Sequence, residues 1–188
     1  MQEYIAKTLQ GLEGVLADEL KALGAKDIEI QRRAVSFKGD KKCLYKANFW
    51  LRTALRILKP IAIFQVKSPD DVYSAIKKIK LEEFITADKT FSIDTTVYSE
   101  QFNNSRYVTY KAKDAIVDYF TEKYGKRPSV SVANPDIYFN LHISHTTCTL
   151  SLDSSGAPLF KRGYRVAQTE APINEVLAAG LLLLSGWR

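Results

Sequence analysis

The sequence has 188 residues, 46% hydrophobic and 26% charged, and its 27 Lys and Arg against 21 Asp and Glu give a formal net charge of +6. This composition excludes a disordered or low-complexity chain and suits one ordinary domain or two small ones. The charge excess permits a polyanionic partner without demanding one.

The two cysteines, Cys43 and Cys148, lie far apart with no CxxC spacing, which argues against a disulfide framework or zinc ribbon and fits a reducing compartment. The N-terminus mixes charged and apolar residues and is no signal peptide. The longest apolar run, 176–184, falls far short of the ~20 residues a bilayer span needs. The expectation is a soluble, cytoplasmic protein with no membrane partner.

In chain order, residues 3–9 alternate polar and apolar side chains as a strand does, and residues 11–23 switch to helical spacing through Leu12, Val15, Leu16, Glu19, Leu20 and Leu23. Gly24 stands where a helix-ending glycine belongs. Residues 25–31 and 34–38 read as strands joined by a turn at Gln31, Arg32 and Arg33. Gly39 and Asp40 open a second helix, expected to bury Leu44, Ala47, Asn48 and Leu51, and residues 54–66 return as a strand. This βαββαβ order is that of a ferredoxin-like unit.

Ser68-Pro69-Asp70 breaks the chain and caps a helix over 71–79. Residues 91–98 form a strand with Phe91, Ile93, Thr95 and Val97 on one face. A long helix over 105–124 carries Val108, Ala112, Ala115, Ile116, Tyr119 and Phe120 as its apolar stripe, stopped by Gly125 and Pro128. Residues 137–143 and 147–153 are strands joined by a tight turn. The fold class is α+β, two units in tandem with a boundary at 67–70. From Pro172 a last helix is apolar nearly all round, the pattern of an element buried on several sides. That points to a natural protein that continues past Arg188.

Three motifs invite a catalytic or metal reading. Asn134-Pro135-Asp136 resembles part of an amine-gripping Asn-Pro-Pro-aromatic motif, but lacks its second proline and any preceding glycine-rich loop, and Asn-Pro-Asp is a strong turn starter. His142, His145 and Cys148 are candidate ligands, yet a strand-turn-strand sends the two histidines to opposite faces and offers no fourth ligand. Gly11 and Gly14 make only a Gly-x-x-Gly fragment. No Gly-x-Ser-x-Gly or P-loop occurs. The expectation is no catalytic residue, no metal and no cofactor in this chain.

Basic residues are clustered. Residues 26–59 hold ten Lys or Arg against three acids. Arg106, Lys111, Lys113, Lys123, Lys126 and Arg127 surround the long helix, and Lys161, Arg162 and Arg165 form a third group. Tyr107, Tyr110 and Tyr164 beside them could stack on unpaired bases. A solvated surface with basic residues complementing the helix C-terminus would look the same.

Several segments together carry a family likeness: Gly11-Leu12-Glu13, Leu20-Lys21-Ala22-Leu23-Gly24 and Lys46-Ala47-Asn48-Phe49-Trp50-Leu51-Arg52-Thr53; then 113–118, Arg127-Pro128-Ser129-Val130 and Asn134-Pro135-Asp136; and finally Arg162-Gly163-Tyr164-Arg165, Ala171-Pro172 and Leu177-Ala178-Ala179. Over its whole length the chain resembles the N-terminal half of bacterial large-subunit ribosomal RNA guanine-N2 methyltransferases, relatives of which are also described as N6-adenine-specific DNA methylases. The resemblance implies a ferredoxin-like domain over 1–66, a THUMP domain over 67–165, and over 166–188 a linker and the first helix of a methyltransferase domain otherwise absent. It further implies that the fragment binds structured RNA, in particular large-subunit ribosomal RNA, for a C-terminal domain of the same chain that uses S-adenosylmethionine. Expected RNA contacts are Arg106, Tyr107, Lys111, Lys113, Lys126, Arg127, Lys161 and Arg162. The rival readings are a protein-interaction scaffold docking through its apolar last helix, and a fragment of a DNA adenine methylase.

Overall fold

A computed structural model describes residues 1–163, 165–167 and 170–187. They fall into two units, Met1–Lys59 with Ser154–Arg188, and Pro60–Asp153.

The first unit runs β1 (Gln2–Lys7), α1 (Glu13–Ala22), β2 (Lys26–Gln31), β3 (Ala34–Gly39), α2 (Lys41–Trp50) and the start of β4 (Arg56–Gln65). Its strands lie in the order β2-β3-β1-β4, and β3 pairs antiparallel with β2 and β1, as β1 does with β4. This is the ferredoxin-like arrangement that the βαββαβ order implies. Alternation sends Tyr4 and Ala6 of β1 into one core with Val35, Phe37, Leu16, Leu20, Cys43, Ala47 and Ile57. Each fully buried leucine there contributes roughly 1.5–3 kcal/mol relative to exposure.

Helix α2 differs from its sequence reading. Asp40 caps it by accepting from the Cys43 N–H at 2.7 Å, and its inward residues are Cys43 and Ala47, while Leu44 and Asn48 are only half-buried. Gly39 is the reason: a Cβ there would meet Cys43 Cβ at 2.7 Å, so the missing side chain lets Cys43 lead the buried stripe.

The second unit continues from the end of β4 through α3 (Pro69–Ile76), β5 (Thr90–Tyr98), α4 (Ser105–Tyr124), β6 (Ser129–Val130), β7 (Ile137–Ser144) and β8 (Thr147–Asp153). Its sheet order is β8-β7-β5-β6. β5 is parallel to both β6 and β7, and β7 forms an antiparallel hairpin with β8. The core joins Val72 and Ile76 of α3 and Ile116 and Phe120 of α4 to Phe91, Phe139 and Leu141 of the sheet. Ser68 and Asp71 form a reciprocal capping box that starts α3 at Pro69, two residues before the expected position.

Two boundaries change. Residues 154–163 and 165, expected in the second unit, belong with the first. Ser154 N–H and Oγ both donate to Ile57 O, at 2.9 and 2.8 Å, and Leu159 N–H donates to Leu55 O at 2.9 Å. The Leu159 side chain enters the first core. The last helix, α5 (Glu175–Leu184), begins beyond Pro172 because Asn174 Oδ1 caps it from the Val176 N–H at 2.9 Å. It also joins the first unit: a Cβ on Gly180 would sit 2.5 Å from Leu12 Cδ1, so glycine permits its close approach to α1.

Candidate nucleic-acid interface

In the second unit, α4 carries most of the expected contacts. Asn104 caps it by accepting from the Tyr107 N–H at 3.1 Å, and Gly125, at φ 65°, ends it in the left-handed conformation that glycine adopts without strain. Its inward stripe, Val108, Ala112, Ala115, Ile116 and Phe120, is the one its spacing predicts, with Tyr119 half-buried at its margin.

Arg106, Tyr107 and Tyr110 are exposed at the helix start. This end of the unit also holds the C-terminal ends of parallel β5 and β7, where Tyr98 lies 5.8 Å from the His142 ring and accepts at its carbonyl from the His145 N–H at 2.8 Å. Such strand ends, beside a helix N-terminus with its outward N–H groups, are where open α/β sheets take ligands.

The lysines of α4 are less available than their count suggests. Lys111 Nζ is 2.6 Å from Asp70 and lies 5.7 Å over the Tyr107 ring. Lys113 pairs with Asp114 at 2.7 Å. Lys123 reaches Glu82 at 2.6 Å, and the Tyr119 hydroxyl donates to the same carboxylate. With the lysine bond as the largest cause, Glu82 is held down at about 2.

Lys126 and Arg127 are exposed and make no ion pair among the described residues. A 20-residue helix is about 30 Å long, so they stand about that far from Arg106 and Tyr107. Their neighbourhood is the opposite end of the sheet. There Asp136 accepts from the Thr90 N–H and hydroxyl at 2.9 Å each. Those bonds, the backbone one first, hold its carboxyl below the usual range. The Asn134-Pro135-Asp136 motif therefore ties β7 to β5.

Lys161 and Arg162 are in the first unit, and the other six expected contacts are in the second. Arg162 donates to the carbonyls of Asn48 and Phe49 at 2.9 and 3.2 Å, closing the C-terminus of α2. Tyr164 lies outside the described residues. The sequence reading missed what stands beside Arg162: Phe49 and Trp50 are 71% and 62% exposed. Two adjacent aromatics closing a helix that has lysines and no acid are the signal that could have marked them.

The histidine and glycine motifs have local explanations. His142 and Cys148 are on paired strands, Cys148 is buried, and its thiol is pushed up to about 12 by that burial. Among the described residues no group of three or more His, Cys, Asp or Glu could hold a metal ion. The Gly11 N–H donates to Glu13 at 2.8 Å, so the Gly-x-x-Gly turn does not offer that amide to a cofactor. Nor does any helix among the described residues have the length and apolarity to cross a membrane.

Two family models match, an RlmL ferredoxin-like domain over residues 3–58 and a THUMP domain over residues 66–153. A curated relative, the Ribosomal RNA large subunit methyltransferase K/L of Syntrophotalea carbinolica, is 42% identical over 185 residues, covering 98% of this chain and 26% of that protein. The crystal structure of a predicted N6-adenine-specific DNA methylase from Listeria monocytogenes str. 4b F2365 is similar with a TM-score of 0.84 at 30% identity, covering 99% of this chain and 49% of that one. SMU.472, solved in complex with SAH, gives a TM-score of 0.82 at 27% identity with 99% and 49% coverage. The chain thus spans from about a quarter to about half of the length of these relatives.

Proposed function

We propose that this chain, which matches an RlmL ferredoxin-like domain over residues 3–58 and a THUMP domain over residues 66–153, is the RNA-binding part of an RNA methyltransferase. In the finer reading, it holds structured large-subunit ribosomal RNA while a methyltransferase domain of the same protein methylates guanine N2. The observation that carries this is the THUMP match over the unit that exposes Arg106, Tyr107 and Tyr110 at one end of its sheet. There the arginine would hold phosphate and the tyrosines would stack on bases splayed from a loop or bulge.

S-adenosylmethionine would supply the methyl group in that further domain, and no step of the transfer is assigned to the residues of this chain. Exposed Leu181 and Leu184 of α5 fit a role as the seat of that further domain. The same leucines favour the second reading, a scaffold that docks another protein.

The test compares Arg106→Ala with Tyr107→Ala, and Lys126→Ala with Arg127→Ala, as two double variants titrated with an RNA hairpin. Loss of about tenfold or more for the first pair supports the α4 start as the contact. Unchanged affinity in both pairs removes this unit from the RNA site.

A further inference from the structure

The first unit carries a second aromatic and basic surface, on α2 and the end of α1. Tyr45, Phe49 and Trp50 are all more than 60% exposed, at 64%, 71% and 62%, and the Phe49 and Trp50 rings meet edge to face at 5.1 Å. Neighbouring large aromatics left in solvent are uncommon unless something covers them.

Phe49, Trp50, Lys46 and Arg52 line a groove of about 560 Å³. Lys46 and Leu23 also line a second concavity of about 300 Å³, whose wall includes Lys26 and Lys42. An aromatic compartment therefore opens beside a lysine-lined one, and Lys46 borders both.

The one carboxylate in the aromatic groove is already engaged. Glu19, 11% exposed at its side chain, accepts from the Thr53 N–H at 3.0 Å and hydroxyl at 2.5 Å, and from Arg52 N–H and Nε at 3.2 Å each. In the lysine compartment, Asp40 caps α2 and Lys38 pairs with Asp27. Lys26, Lys42 and Lys46 have no carboxylate partner among the described residues.

We infer that this groove binds an unpaired stretch of RNA, with a base stacked on Phe49 and Trp50 and the adjoining phosphates at Lys46, Lys42 and Lys26. Charge complementarity selects the occupant. Protein interfaces are depleted in lysine at their centres, whereas single-stranded nucleic-acid grooves join lysines to exposed aromatic rings. A duplex keeps its base faces stacked, so only an unpaired strand offers them. The Arg162 guanidinium fixes the carbonyl end of α2, where Phe49 and Trp50 emerge, and so acts as a positioning residue.

The inference rests on the RNA-binding reading and is tested so that the two fail separately. Two RNA hairpins, one blunt and one with a short single-stranded tail, are titrated with the wild-type chain and with the Phe49→Ala, Trp50→Ala double variant. The tail should tighten wild-type binding roughly tenfold, and the variant should lose that gain while keeping its affinity for the blunt hairpin. The sequence has two tryptophans, so in a Trp187→Phe chain the emission is Trp50's alone. The tailed hairpin should quench it and the blunt one should not. A variant that keeps the full tail advantage, or a Trp50 signal that ignores the tail, overturns this site and leaves the face to a protein partner. Binding of neither hairpin overturns the RNA reading together with it.

Discussion

Helices α2 and α4 both present lysines and aromatics to solvent, yet their charges stand in different company. On α4, Lys111, Lys113 and Lys123 each reach a carboxylate, at 2.6, 2.7 and 2.6 Å. On α2, Lys42 and Lys46 have no such partner, and Lys41 instead lies 6.0 Å over the Tyr45 ring. An acid-paired lysine presents a weak field to a polyanion, because turning to a phosphate breaks its existing ion pair. An unpaired one has no pair to break, and its phosphate releases a counterion. Counting basic residues thus locates a region, and pairing decides which part of it can hold a phosphate.

The largest expected effect comes from the one carboxylate of the α2 groove, which the fold itself engages. Glu19→Ala strands the N–H groups of Arg52 and Thr53 and should lower stability by about 2–3 kcal/mol, read from the urea midpoint. A loss below about 0.5 kcal/mol would break the claim that Glu19 is fully employed inside the fold. Next in size is a difference in salt dependence. Lys42→Gln with Lys46→Gln should reduce the slope of log affinity against log salt by about 1.4 for a tailed RNA, at ~0.7 for each phosphate no longer neutralised. Lys111→Gln with Lys113→Gln should change it much less, and equal reductions would erase the contrast between the helices.

A smaller effect sharpens the α4 side. Glu82 has an ordinary value of 4.5 and is held at about 2 in the folded chain. The unfolded chain therefore binds the proton first, so the stabilisation is present above about pH 4.5 and is lost as pH falls toward 2. Wild type should lead Glu82→Gln in urea midpoint at pH 7, and the gap should close over that window. A gap that does not vary with pH would mean the Lys123 contact leaves the carboxylate unperturbed. Smallest is the thiol test of helix phase. Burial, with Asp40 adding to it, raises Cys43, so alkylation at pH 8 should be slow in the folded chain and fast in denaturant. Rapid native labelling of Cys43 would put the wrong face of α2 inward.

Local signals carried most of the fold. The period of α4, Gly125 behind it and the alternation in β5 and β7 are written in adjacent residues, so those elements are legible from the sequence. β6 is not, because Ser129-Val130 is too short to show a period. The phase of α2 depends on Gly39 against Cys43, a packing fact that hydrophobicity alone ranks behind Leu44. The return of 154–163 to the first unit rests on bonds from Ser154 and Leu159 to residues about a hundred positions earlier. The candidate site was legible as charge and not as geometry. Lys111 meets Asp70 and Lys123 meets Glu82 only through packing of separate elements, and Arg162 is drawn to α2 by carbonyls that no composition reveals. Phe49 and Trp50 read as part of a family-like segment; that they face solvent is a consequence of the Cys43 phase.

The central claim, that this chain is an RNA-binding module, is tested most directly by fluorescence anisotropy with a structured RNA hairpin and a DNA duplex of equal length. Each is titrated at low and at near-physiological salt. The account predicts tighter binding to the RNA at both, with affinity falling as salt rises. Equal affinity for the two nucleic acids, or binding to neither, would contradict it.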